Sequence, residues 1–134
     1  MSMKMRYDVR FFQTKEFRCK CCGQGGVAVA LVFHLDQIRR AWGGPIRVNS
    51  GFRCEARNKE VGGAKTSRHL IGCAADIAPV DATMVSVFNQ LIRAMTDDMD
   101  GWETIIYSWG AHVAVPRSET VDTWIGGKIS LTFR

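Results

Sequence analysis

Two histidines and an aspartate are the side chains whose types and spacing could do chemistry. In the stretch "TSRHLIGCAADI", Thr66 to Ile77, His69 is followed seven residues later by Asp76, with Gly72, Ala74 and Ala75 between them. His112 comes later, in "WGAHVAVPR". A catalytic Zn2+ takes imidazole nitrogen and carboxylate oxygen as donors, three from the protein, and leaves a fourth position for water. Small residues between His69 and Asp76 let the backbone turn tightly and leave room beside an ion. On the residues alone a plainer account stays open: His69 as a hydrogen-bonded loop histidine and Asp76 as a strand-end cap. His34 illustrates it, at the edge of a long helical stretch with no partner at ligand spacing.

Those groups must be placed by the elements around them. In "VAVALVFHLDQIRRAW" the residues Val27, Leu31, Leu35, Ile38 and Trp42 recur every three or four positions, one face of an amphipathic helix that "GGP" ends. "IRVN" follows as a short strand, "SGFR" as a turn, and "CEARNKEVGGA" as a helical turn closed by Gly62 and Gly63. "AADIAP" is a short buried strand stopped by Pro79. Asp81 then caps a helix through about Met95, with Met84, Phe88, Leu91, Ile92 and Met95 inward. "ETIIYS", "HVAVP" and "ISLTF" are strand candidates, rich in β-branched and aromatic residues. Helices and strands intermix without a βαβ repeat, which makes the class α+β, with a small, mostly antiparallel sheet and flanking helices. At 134 residues one domain is expected over 1–134. Asp76 and His112 then lie on two strands that could pair side by side.

Composition narrows the setting. Hydrophobic residues make up 46% and charged residues 23%, as in a globular protein. No apolar run approaches the ~20 residues that cross a bilayer, so no membrane insertion is expected. "MSMKMRYDVRFFQ" has no apolar leader core or cleavage site, which suggests a cytoplasmic protein unless something else releases it. A net charge of +5 suits a polyanionic partner such as an anionic cell envelope. Lys and Arg are scattered and no aromatic-basic reader motif occurs, so nucleic acid is not expected as a partner.

Five cysteines, an odd number, argue against a disulfide framework. Cys19, Cys21 and Cys22 crowd "FRCKCCGQGG", and with Cys54 they could hold a small structural zinc ion. The run C-x-C-C lacks the usual knuckle spacing and a clear second pair, so reduced thiols or one disulfide to Cys54 are the expected state.

Read together, "VNSGFRCEARNKEVGGAKTSRHLIGCAADI" resembles the signature of the zinc D-alanyl-D-alanine carboxypeptidase-like peptidases, which include phage endolysins and D,D-dipeptidases. The pattern is S-G-Y/F-R, then N, then G-G, then S-x-H-x-x-G-x-A-x-D, and every element is present. The resemblance runs from about Phe17 to Val115 and leaves the tail from Pro116 unmatched. It implies a hedgehog/DD-peptidase-like fold with Zn2+ on His69, Asp76 and His112. It further implies that Arg53 holds substrate and steadies the attacked carbonyl, and that Ser67 helps hold the substrate or the ligand loop. The implied substrate is the peptide stem of peptidoglycan, and the implied setting a phage or prophage enzyme, taken here as a monomer.

The family places a carboxylate general base three to about six residues before the last histidine. Here Ile106 to Trp109 reads "IYSW", with no acid. Glu103, nine residues before His112, is the nearest candidate, with Glu119 and Asp122 behind it. That gap keeps two alternatives open: a zinc-bound, non-hydrolytic module that recognises wall peptide or serves virion structure, and a nucleic-acid-binding zinc module built on Cys19 to Cys22.

Overall fold

A computed structural model of the chain describes residues 5–118, 121–122 and 128–133. In order these form β1 (Met5–Gln13), β2 (Val27–Ala28), α1 (Val29–Trp42), β3 (Ile46–Ser50), α2 (Glu55–Glu60), β4 (Ala74–Pro79), α3 (Val85–Thr96), β5 (Glu103–Tyr107), β6 (Gly110–Ala114), β7 (Val121–Asp122) and β8 (Lys128–Phe133). Four strands make an antiparallel sheet in the order β3-β4-β6-β5. Two further antiparallel pairs, β1 with β8 and β2 with β7, tie both ends of the chain to its body. The expected α+β class, with a small antiparallel sheet and flanking helices, is what the chain forms.

Successive strand residues point to opposite faces, and this sheet uses its two faces for different tasks. Ala75 and Ile77 of β4, Ala111 and Val113 of β6, and Val48 of β3 join the apolar core. Leu31, Leu35 and Ile38 of α1 and Phe88 and Ile92 of α3 pack in that same core. The intervening residues, Asp76 on β4 and His112 on β6, must then lie on the other face. β4 is central and almost wholly buried, so its neighbours on that second face are the small residues Ala74 and Ala78. A second anchor joins β1 to α1: buried Asp36 accepts the Arg10 and Phe11 backbone N–H groups at 3.2 and 3.1 Å.

Three local expectations change. Val27 is in β2, not the helix, because it pairs with Asp122, a distant partner that periodicity cannot reveal. The helix expected from Asp81 begins as a 3-10 turn over Ala82–Met84, and Asp81 caps that turn through the Thr83 N–H at 3.0 Å. The tighter winding turns Met84 out to solvent, so it is exposed and not on the inner face. His34 lies inside, not at an edge, with Nε2 2.9 Å from Thr96 Oγ1 and its ring edge-on to Trp102 at 4.7 Å. Of the tail acids, Glu119 lies outside the described residues, and Asp122 is described only as a β7 residue opposite Val27.

Burial lowers the pKa of His34 from its ordinary value. The folded protein therefore resists a proton that the unfolded chain accepts below about 6.5. The stability His34 contributes is complete above that pH and is lost as pH falls through it. In denaturant titrations at pH 8 and pH 5, the stability gap between wild type and His34→Gln should narrow at the lower pH. Equal gaps would remove His34 from the pH dependence.

Candidate metal centre

Ser67 starts the local structure that presents His69. Its Oγ accepts the His69 N–H at 3.2 Å, capping a short 3-10 turn, Arg68–Ile71. Gly72 ends the turn at φ 72, a left-handed conformation open to glycine at little cost, and the chain passes into β4 two residues later. Asp76 faces its partner by register, since β4 and β6 pair with Asp76 directly opposite His112. The three side chains expected as ligands thus meet, with their donor atoms within 4.8 Å of one another.

The hydrogen bonds around the rings decide where protons can be. His69 Nδ1 lies 2.7 Å from the Gly51 carbonyl oxygen, which can only accept, so Nδ1 carries the hydrogen. His112 Nε2 lies 2.7 Å from Glu103 Oε1 and donates to it for the same reason. In the neutral rings this leaves lone pairs on His69 Nε2 and His112 Nδ1. Both face Asp76 Oδ1, at 3.2 and 3.1 Å. Three acceptors pointed at one another repel unless a proton or a metal cation lies between them. Bonds of about 2.1 Å to a tetrahedral ion put its donors about 3.4 Å apart, so this donor set fits Zn2+ in both type and spacing. Without an ion, rings that carry a second proton fill the same space: burial pushes the Asp76 carboxyl pKa up, but the hydrogen bonds and charge that His112 and His69 then direct at it outweigh burial and hold the group far below the usual carboxylate range.

Arg53 is fixed on three sides. Nε donates to Ser50 Oγ at 3.1 Å, one terminal nitrogen to Asn58 Oδ1 at 3.0 Å, and the other to Asp76 Oδ2 at 3.3 Å. It therefore grips the second oxygen of Asp76 and also lines the cleft. Ser67 is seen holding the ligand loop, one of the two roles expected of it. Glu103 lies two residues from the partner of His112 on β5, a diagonal same-face neighbour close enough to bond its ring. Together with His69, Asp76, His112, Arg53 and Tyr107 it lines an open cleft of about 530 Å³.

Several contributors had no assigned role in the sequence. Asn58 holds Arg53 and also donates through Nδ2 to the Ala64 carbonyl at 2.9 Å, fastening the loop after α2. A side chain on Gly63 would strike both Asn58 Oδ1 and the Arg53 guanidinium, which explains the second glycine of "GG". These two positions were visible as the N and G-G of the motif, although their purpose was not. Ser50 and Gly51 were likewise visible as the S-G of the motif but not in their roles, and the stacked pair Tyr107 and Trp109, 4.9 Å between ring centres, had no usable sequence signal.

The chain is similar to known proteins in sequence. Residues 10–115 match the model of the Peptidase M15 family. Over 51 residues, 37% of this chain, the sequence is 47% identical to a zinc D-Ala-D-Ala carboxypeptidase of Streptomyces albus G. That stretch spans only 20% of the relative's length.

If Glu103 fixes the tautomer of His112, its replacement should weaken the metal site without removing a ligand. Glu103→Ala should loosen Zn2+ about 10- to 100-fold in chelator competition, and Glu103→Gln, which retains an acceptor, by much less. Equal affinity in all three proteins would refute the positioning role.

Proposed function

We propose, since the chain belongs to the Peptidase M15 family, that it is a zinc-dependent peptidase acting on the peptide stems of peptidoglycan. The observation that carries this reading is the convergence of His69 Nε2, Asp76 Oδ1 and His112 Nδ1, all proton acceptors, in a cleft that also holds Arg53 and Glu103. Its finer form is a D,D-carboxypeptidase or an endolysin-type endopeptidase of phage origin. The net charge of +5 favours residence on an anionic wall. Among the described residues no helix is long and apolar enough to cross a membrane.

His69, Asp76 and His112 would hold the ion, which when bound lowers the pKa of its water and polarises the scissile carbonyl. The Gly51 carbonyl and Glu103 keep both rings in the tautomers that present lone pairs. Three of the five Arg53 N–H groups are accounted for by Ser50, Asn58 and Asp76. We assign the others to the oxygen of the attacked carbonyl, where charge develops. Arg68 and Arg117 also line the cleft, so cations surround the place where a stem peptide's carboxylates would lie. Tyr107 and Trp109 offer a stacked aromatic shelf beside it. Burial and the Asp76 charge push the Tyr107 phenol up in pKa, which keeps it a hydrogen-bond donor.

Proton transfer falls to Glu103, the carboxylate that lines the cleft beside the ligand Asp76 among the described residues. One oxygen accepts the hydrogen bond of His112 Nε2–H, and we assign to the other the proton of the attacking water and its delivery to the leaving amine.

Mass spectrometry of peptidoglycan fragments incubated with the zinc-loaded protein tests this reading. New stem-peptide fragments are expected, and they should vanish on chelation and in His69→Ala. Arg53→Ala should lower kcat/KM by about 100-fold or more, the usual effect of losing an oxyanion donor. Protein shown to hold zinc that yields no fragments would overturn the peptidase and favour a wall-peptide-binding module.

A further inference from the structure

The second cluster of metal-ligating side chains is made of sulfur and lies apart from the histidines. The donor atoms of Cys19, Cys22 and Cys54 are within 4.8 Å of one another. Cys21, exposed in the same loop between Lys20 and Cys22, stands outside that trio and is the further thiol at hand to complete a set of four. In space the run "CKCC" contains a C-x-x-C pair, Cys19 and Cys22, that its reading as C-x-C-C conceals. All are free thiols, with Cys19 Sγ and Cys54 Sγ 3.6 Å apart. Zinc–sulfur bonds of about 2.3 Å in a tetrahedron put sulfurs about 3.8 Å apart, so the pair already has the separation of two ligands on one ion.

The backbone is arranged for thiolates. Cys19 O accepts the Gly23 N–H at 2.9 Å, and Cys19 N donates to Gln24 O at 2.9 Å, which curls the loop around its sulfurs. Cys19 Sγ accepts the Cys54 N–H at 3.4 Å. Cys54, at the head of α2, accepts the Arg57 N–H at 3.4 Å, and Cys22 accepts from Gln24. Donors aimed at sulfur favour the ionised form. Burial pushes the Cys19 thiol up, but the N–H groups around it and the Cys54 thiol outweigh it and bring it down to about 6. Cys21 is pushed up by the neighbouring Cys54. The Gln24 N–H favours the Cys22 thiolate, yet desolvation and Cys19 push this thiol up.

We propose that Cys19, Cys21, Cys22 and Cys54 form a second, structural site for a thiophilic divalent ion, Zn2+ being the one that suits four thiolates. Lys20 within the loop supplies positive charge close in sequence to the thiolates of such a site. The ion joins the loop to Cys54, the residue after Arg53. The same junction is held by Phe52 N–H to Phe17 O at 2.8 Å and includes the Gly51 carbonyl that orients His69. A thiolate site here would brace the segment on which the histidine site depends.

Metal counting by native mass spectrometry on the reduced full chain, with cobalt substitution as a spectroscopic probe, tests this. Wild type should hold two ions, one per donor set. Its cobalt form should show the intense near-ultraviolet thiolate-to-cobalt charge-transfer band. His69→Ala should lose one ion and keep that band. The Cys21→Ser and Cys22→Ser double variant, altered only at exposed side chains, should lose the other ion and weaken the band strongly. One ion with the band in wild type, unaffected by His69→Ala, would support the thiolate site while counting against the peptidase centre. No band in wild type, no effect of the double variant on metal content, or a Cys19–Cys54 disulfide in freshly reduced protein would overturn the proposal.

Discussion

Asp76 Oδ1 has two imidazole nitrogens 3.1 and 3.2 Å away, and in the neutral rings the outer hydrogen bonds leave those two nitrogens as the lone-pair donors. Three such acceptors on one point need a positive centre among them, either protons on the rings or a metal cation. Much of the surrounding structure maintains it. The Gly51 carbonyl and Glu103 hold the far sides of the two rings, and Arg53 holds the other Asp76 oxygen. Ser50 and Asn58 hold Arg53 in turn, and Gly63 leaves the space in which they do so. Removing any of these supports would leave the donors present and less well aimed.

The sheet makes such an arrangement possible because its two faces are chemically separate. Core packing by α1 and α3 needs apolar side chains at alternate positions of β4 and β6, and that alternation sends Asp76 and His112 to the opposite face together. A slip of one residue between those strands would leave Asp76 opposite alanine or valine and would end the site. The apolar core and the metal centre are therefore set by one register. The loop from Cys19 to Gly25 meets the same framework from outside, through Phe17 and Cys54, on the segment that carries Gly51 and Arg53.

Legibility in the sequence followed the distance over which each interaction acts. Local signals worked well. The three-to-four spacing marked the body of α1, "GGP" its end, and "AADIAP" β4 to the residue. The motif also pointed to His69, Asp76 and His112, which the fold brings together. Local signals failed where a distant partner or a tighter turn intervened, as with Val27 drawn into β2, Met84 turned outward by a 3-10 turn, and His34 buried against Thr96 and Trp102. Glu103 looked remote from His112 when counted along the chain. The β5–β6 hairpin brings it back beside the ring, a relation of strand register and not of sequence distance.

By itself the sequence determined the α+β class, the identity of the three converging donors and the crowding of cysteines in one loop. These depend on residue type and short-range spacing, which are properties of the chain before it folds. Tertiary structure alone decided which nitrogen of each neutral histidine is free, that Arg53 grips Asp76, and that Cys54 meets Cys19 and Cys22 across the fold. Each of those depends on atoms from segments far apart in sequence coming within hydrogen-bonding or metal-ligand distance. Only the packed sheet, with its fixed register, brings them there.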